Sequence, residues 1–300
     1  MKNFIYLLAV LFFILSGISQ TCFCQDTCLI TIKYGENPGA GKFAEINGIR
    51  MYYETYGDPV KQPLLLIHGN GGYIYAERCQ IEHFKDRYYV IIADSRFHGK
   101  TENGSEELTY DLMAEDYNSL LDYLRLDSVY IIGQSDGGII GLLLAMNYPE
   151  KVRKLVAAGA NLRPDTTALQ RWAVELTRKD LDEVEKKIKS GDISVDLIRQ
   201  RSQLNLMDKY PNIRSDELTK IKAPVLVMAG DGDVIKLEHI LEIYQNIPHA
   251  QLFIMPGATH FMLREEYSLF NQIAERFLDY PFKRPTTKEL LLKTKTLTIN

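Results

Sequence analysis

The stretch Val129-Tyr130-Ile131-Ile132-Gly133-Gln134-Ser135-Asp136-Gly137-Gly138-Ile139-Ile140-Gly141 constrains this chain more than any other. A β-branched and aromatic run, of strand composition, passes through Gly-x-Ser-x-Gly into an apolar run, Ile139 to Met146, long enough for a buried helix. The reading is strand, tight turn, helix. Such a turn forces its central residue into a strained backbone conformation, and only small residues fit two places before and after it, here Gly133 and Gly137. The Ser135 hydroxyl is left exposed at the top of a sheet, and the N–H groups opening the next helix point at whatever it attacks. A Gly-rich turn with an idle serine has the same local pattern, so the catalytic reading depends on partners elsewhere.

The rest of the chain supplies a setting for that turn. Apolar strands are predicted at Pro63 to Ile67, Tyr88 to Ala93, Val152 to Ala158, Pro224 to Gly230 and Gln251 to Met255. Helices are predicted at about Tyr110 to Leu124, Leu237 to Asn246 and Glu265 to Leu278. Strands alternating with helices imply an α/β fold, a doubly wound and mostly parallel sheet. From Lys42 to Gly57 the pattern alternates around Asn47-Gly48, a signal for an antiparallel edge hairpin. After Ala160 strands cease, and charged helical stretches run over Thr166 to Lys179, Asp180 to Lys189 and Ser194 to Asp208, with Gly191 as a break. The expected organisation is a core of 40–160 and 215–282, a helical cap insertion over 161–214, and a basic tail over 283–300.

With 300 residues, a formal charge of −4, 46% hydrophobic and 25% charged residues, the composition is that of a globular protein. Mild acidity without a basic cluster argues against a nucleic-acid partner. Met1-Lys2-Asn3 followed by the apolar run Phe4 to Leu15 has the form of a signal peptide, and Gly17-Ile18-Ser19 places small residues for cleavage after residue 19. The apolar run is shorter than the roughly 20 residues a span requires. Export to the periplasm or the exterior is expected, with no stable membrane insertion after cleavage; an uncleaved anchor is the alternative. Cys22, Cys24, Cys28 and Cys79 show neither a disulfide framework nor a metal spacing, and Cys79 reads as a small buried hydrophobe.

A serine hydroxyl is a poor nucleophile at neutral pH and needs a base, itself oriented by a carboxylate. In a doubly wound sheet these belong in loops at the C-terminal ends of strands. Asp231 and Asp233 follow the strand ending at Gly230, and His260 follows the strand ending at Met255. Together with His68-Gly69-Asn70-Gly71 and Asp94-Ser95-Arg96-Phe97-His98-Gly99, these blocks resemble, in order, an α/β-hydrolase fold enzyme with a helical cap.

The resemblance covers about Ala44 to Tyr280. It implies a catalytic triad of Ser135, His260 and Asp233, with Asp231 as the alternative acid and Asp165 a further place to look. It also implies an oxyanion hole from the Asn70 and Asp136 amides, and no metal or organic cofactor. His68 and His98 are expected to orient loops, Arg96 to pair with a carboxylate, and His239 to take a surface or capping role. A serine nucleophile sets the chain apart from dehalogenases and epoxide hydrolases that use aspartate. The expected substrate is a small ester, largely apolar or uncharged, because the Asp136 carboxylate would repel an acidic group. Other acyl chemistry on the same triad (proline iminopeptidase, carbon–carbon hydrolase, lactonase, perhydrolase) and a ligand receptor on this fold are the alternatives. Apolar residues of the insertion, Trp172 foremost, are candidates to line an acyl pocket.

Overall fold

The computed structural model describes residue 28 and residues 30–297. The expected signal peptide, Cys22 and Cys24 lie outside the described residues. Asn47 and Gly48 both take positive φ, 42° and 71°, the turn that joins β1 (Gly41–Ile46) to β2 (Ile49–Tyr56) in register Ile46 to Ile49. This hairpin is the antiparallel edge of an eight-stranded sheet. Beyond it lie β3 (Pro63–Ile67), β4 (Tyr89–Ala93), β5 (Val129–Gln134), β6 (Val152–Ala158), β7 (Val225–Gly230) and β8 (Ala250–Met255). The spatial order is β1-β2-β4-β3-β5-β6-β7-β8, and every pairing from β4 through β8 is parallel. The order reverses around β3, the switch geometry that opens a crevice at the C-terminal ends of the strands.

The helices are α1 (Arg78–Phe84), α2 (Tyr110–Tyr123), α3 (Asp136–Asn147), α4 (Arg171–Lys189), α5 (Val195–Lys209), α6 (Leu237–Asn246), α7 (Met262–Glu265), α8 (Tyr267–Asp279) and α9 (Thr287–Leu297). α3 is buried from Asp136 to Met146, as expected of a helix packed between other elements. β7 is buried at all six positions, the pattern of a strand covered on both faces.

Two expectations need correction. The insertion holds two helices where three were expected, because Thr166 to Gln170 is not helical and α4 runs unbroken through Lys179-Asp180. Neither residue breaks a helix, and Val174, Leu181, Val184 and Ile188 recur on one face. Leu181, Val184 and Ile188 pack with Leu197, Leu204 and Met207 of α5 in a separate small cluster. Leu169 instead forms an isolated bridge with Ile235, just after β7. The second correction is Cys79: it is buried, but in a disulfide with Cys28, with Cα atoms 5.8 Å apart. That bridge fastens the N-terminal segment to α1, a pairing that a sequence separation of 51 and no repeated spacing left hidden.

The basic tail forms α9, whose Leu290, Leu291 and Leu292 are exposed. Among the described residues no helix is long and apolar enough to cross a membrane.

Candidate active site

Ser135 sits between β5 and α3 at φ 56°, ψ −118°, a conformation L-residues rarely adopt. The neighbouring glycines are obligatory there. A Cβ on Gly133 would lie 2.1 Å from the Gly137 carbonyl oxygen, and one on Gly137 would lie 2.0 Å from that of Ile67. The turn is anchored sideways by the Ser135 amide, which donates to Ala158 O at 2.8 Å.

His260 Nε2 is 2.9 Å from Ser135 Oγ, and its Nδ1 is 2.7 Å from Asp233 Oδ1. Both distances fall within hydrogen-bond reach of a nucleophile, a base and the group that orients it. The Asp233 side chain is fully buried and its Oδ2 has no hydrogen-bond partner among the described residues, so its charge is directed at the imidazole. Asp231 is exposed, and its Oδ1 accepts from the Gly257 amide at 2.8 Å. Of the two aspartates it is therefore the turn former. Asp165 is also exposed and accepts from the Thr167 amide, away from the histidine.

The sheet explains how these groups meet. Ser135 follows β5 and Asp233 follows β7, while β6 between them ends in Gly159 at φ +59°, where a Cβ would lie 3.0 Å from the His260 ring. That glycine lets the imidazole bridge from the last strand. The Gln134 side chain donates to His260 O at 3.1 Å and steadies the histidine loop.

Asn70 lies in the loop after β3, and Asp136 opens α3. Their amides donate to no protein acceptor among the described residues, whereas the next amide, Gly71, donates to His98 Nε2 at 3.2 Å. His68 Nε2 accepts from the Ser95 amide at 3.0 Å, and the Nδ1 groups of His68 and His98 face carbonyl oxygens of Gly69 and Arg96. Each ring thus donates from Nδ1 and accepts at Nε2, which requires the neutral form. Burial pushes His68 down to about 4 and His98 down to about 3, the latter also lowered by His68 and Arg199. Both rings brace one loop against another.

Arg96 is buried and forks onto Asp116 at 2.8 and 2.7 Å. Asp94 accepts from the Ile74 and Lys100 amides, and burial raises its carboxyl to about 6.

The Asp136 carboxylate does not open into the site. It is 3% exposed, accepting from Tyr110 OH at 2.8 Å and from Asn70 Nδ2 at 2.9 Å. Burial raises its carboxyl to about 6, opposed by those two bonds and by His260. Trp172 is 55% exposed in the first turn of α4, close in sequence to Gln170, whose amide donates to Val234 O beside Asp233.

His239 departs from its expected surface or capping role. It is buried, its Nε2 accepts from the Leu162 amide at 2.9 Å, and its Nδ1 faces Glu242 at 3.0 Å. Arg163 and Ser215 bind the same glutamate, so the segments of chain entering and leaving the insertion are held at one point. Tyr110 and Gly159 stand in no motif, and Gln134 fills a variable place of the Gly-x-Ser-x-Gly turn. Gly159 alone gave a sequence signal, as a glycine closing an apolar strand.

An eight-stranded, mostly parallel sheet with a strained serine turn facing a histidine and a buried carboxylate defines the α/β-hydrolase class. Residues 62–187 match the alpha/beta hydrolase fold family model. Serine hydrolase BPHL of Mus musculus is 28% identical over 278 residues, 87% of this chain and 92% of that protein. 3-Oxoadipate enol-lactonase 2 of Acinetobacter baylyi is 25% identical over 249 residues, 76% of this chain and 92% of the relative. The crystal structure of the enol-lactonase from Burkholderia xenovorans shares the fold, with a TM-score of 0.66 at 20% identity over 80% of this chain and 100% of that one. The chain has the α/β-hydrolase fold, and it is an enzyme, a hydrolase of the esterase, lipase and lactonase type.

Proposed function

We propose that this hydrolase is an exported serine enzyme that cleaves an ester, or a related acyl bond, of a small and largely apolar or uncharged substrate through Ser135, His260 and Asp233. The observation that carries the reading is the unbroken chain of contacts from Asp233 Oδ1 through the imidazole to Ser135 Oγ. His260 takes the hydroxyl proton as Ser135 attacks the carbonyl, and Asp233 stabilises the imidazolium and fixes its tautomer. The Asn70 and Asp136 amides hold the oxyanion. The imidazolium protonates the leaving alcohol, and a water activated by the same histidine releases the acid and regenerates Ser135. No cofactor is needed for these steps. Export is supported by the N-terminal apolar run and by the Cys28–Cys79 disulfide, a bond that persists in oxidising compartments.

A lactone, an internal ester, fits the same course, and one relative named above is an enol-lactonase. The test is labelling with a fluorophosphonate and turnover of p-nitrophenyl acetate. Ser135→Ala is expected to lose the label and about 10⁴-fold or more of the rate while keeping its fold. A variant that retains a tenth of the activity would place the nucleophile elsewhere.

A further inference from the structure

The chemistry assigned to residue 136 uses only its amide, yet the chain carries a carboxylate there and buries it to 3% exposure. Burying a charge costs several kcal/mol unless hydrogen bonds replace the lost water. Here two do, and both come from elements that frame the nucleophile. Tyr110, the first residue of α2 and itself buried, donates to Oδ1, and the Asn70 side chain donates to Oδ2. Tyr110 is fixed in turn by the Thr109 cap, whose hydroxyl accepts from the Leu112 amide at 3.1 Å.

Asn70 has a second contact. Its Nδ2 lies 3.5 Å from the carbonyl oxygen of Gln203 on α5. Gln203 donates from its own side chain to Phe97 O at 2.9 Å, and Arg199, one turn earlier, donates to Gly99 O, Thr101 O and Asn103 Oδ1. The side chain of Asn70 is thus held between a buried carboxylate on one side and an insertion helix clamped to the loop after β4 on the other. Its backbone is the free amide next to Ser135.

We propose that Tyr110 and the Asp136 carboxylate are positioning residues for the reaction: they hold the Asn70 side chain so that the Asn70 amide points at the oxyanion, and through Gln203 they tie that aim to the seating of α5. The physical reason is directional. A donor helps a tetrahedral intermediate only if it is aimed before the charge develops, and displacements of about 1 Å can cost about 10²-fold. The Gly69–Asn70 peptide is anchored on its carbonyl side, where Gly69 O faces His68 Nδ1 at 2.7 Å and accepts from the Gly72 amide at 3.1 Å; the bond from Asn70 Nδ2 to Asp136 adds the anchor on the amide side and completes its orientation. An ionised carboxylate suits this place because it accepts from both donors at once.

The inference rests on the serine acyl-enzyme reading above. Its test uses the full chain with Tyr110→Phe, Asn70→Ala and the double variant. The readouts are kcat and KM for p-nitrophenyl acetate, inhibition by phenylboronic acid, whose adduct with the serine places an oxygen in the oxyanion site, and the melting temperature. Tyr110→Phe is expected to lower kcat about tenfold and Asn70→Ala about 30-fold, with KM changed less than about twofold, values below the loss of a whole oxyanion donor. Boronate affinity should fall in parallel with kcat, and the double variant should be no slower than Asn70→Ala alone, because both changes cut one chain of contacts.

If Tyr110→Phe lowers the melting temperature but leaves kcat and boronate affinity within about twofold, the network is packing and the proposal fails. Losses that multiply in the double variant would also overturn it. Asn70 is a half-buried loop position, so Asn70→Ala keeps the question decidable if Tyr110→Phe does not fold. A wild-type enzyme that fails to react with fluorophosphonate sinks the acyl-enzyme reading itself, whereas a labelled wild type with an unimpaired Asn70→Ala sinks only this one.

Discussion

Replacing Asp233 with asparagine is the most discriminating single change, because it removes a charge while keeping the shape. The carboxylate side chain is fully buried and 2.7 Å from His260 Nδ1, with the Ile235 amide donating to the same oxygen at 3.0 Å. The introduced asparagine would have two choices. Presenting its carbonyl oxygen to the ring keeps the useful tautomer but loses the charge that stabilises the imidazolium; presenting its amide nitrogen demands an unprotonated Nδ1 and leaves the proton on Nε2, where it cannot accept from Ser135. Either way the base is disabled, and a fall of about 10⁴ in kcat is expected, about 5.5 kcal/mol of transition-state stabilisation. Stability should change little, since the carboxylate already carries one unpartnered buried oxygen that offsets what it gains from the ring. Asp231→Asn is the control: its exposed side chain accepts one bond, from the Gly257 amide, which an asparagine oxygen can also accept, so its loss should stay within about threefold. The assay is kcat for p-nitrophenyl acetate on both purified variants, with circular dichroism to verify folding. Equal, small losses would refute the reasoning and send the search for the acid to Asp165.

Trp172→Ala should alter the preference between short and medium acyl esters while changing kcat for the smallest ester less than about threefold, because a side chain 55% exposed contributes little to packing; parallel slowing on every ester with a falling melting temperature would make it a packing residue. Cys79→Ser, or reduction of the wild type, removes a cross-link at a sequence separation of 51, worth about 4 kcal/mol of chain entropy, and should lower the melting temperature by on the order of 10 °C. Identical melting curves with and without reductant would mean the bridge is not formed. His68 and His98, pushed down to about 4 and about 3, take up protons on unfolding below about pH 6.5, so their contribution is complete above that pH and is lost as pH falls toward 4. His98→Asn should therefore flatten the drop in melting temperature between about pH 7 and about pH 5. Asp94 and Asp136, raised to about 6, act in the opposite sense in both proteins, and an unchanged slope would refute the assignment.

The sheet was legible because each parallel strand is a short apolar run closed by glycine or a polar loop, and Asn47-Gly48 admits few turns other than the one it makes. The residues that meet at Ser135 were legible for a related reason: strand ends are where a doubly wound sheet collects its loops, so sequence order placed His260 and the pair Asp231 and Asp233 nearby, and the family resemblance chose between the two aspartates. Tertiary partnership left less trace. Nothing local marks Tyr110 as the donor to Asp136, and a lone buried histidine such as His239 looks the same in sequence whether it faces solvent or pins the two ends of an insertion. No sequence signal divides the insertion's first helix at Asp180, because charge on the outer face of an amphipathic helix is compatible with its running on to Lys189. The disulfide escaped because its partners are 51 residues apart and share no repeated spacing.

The Ser135 to His260 contact joins residues 125 positions apart, and the histidine follows β8, at the far edge of the sheet from the hairpin. Under the mechanism proposed above, a chain ending at Gly230 would still contain the serine turn and the loop after β3, but neither His260 nor Asp233 to serve as base and acid. Turnover therefore works as a completeness check on the polypeptide: an assembly intermediate can carry the nucleophile without being able to use it, and the first measurable hydrolysis in a refolding experiment times the docking of the last strand.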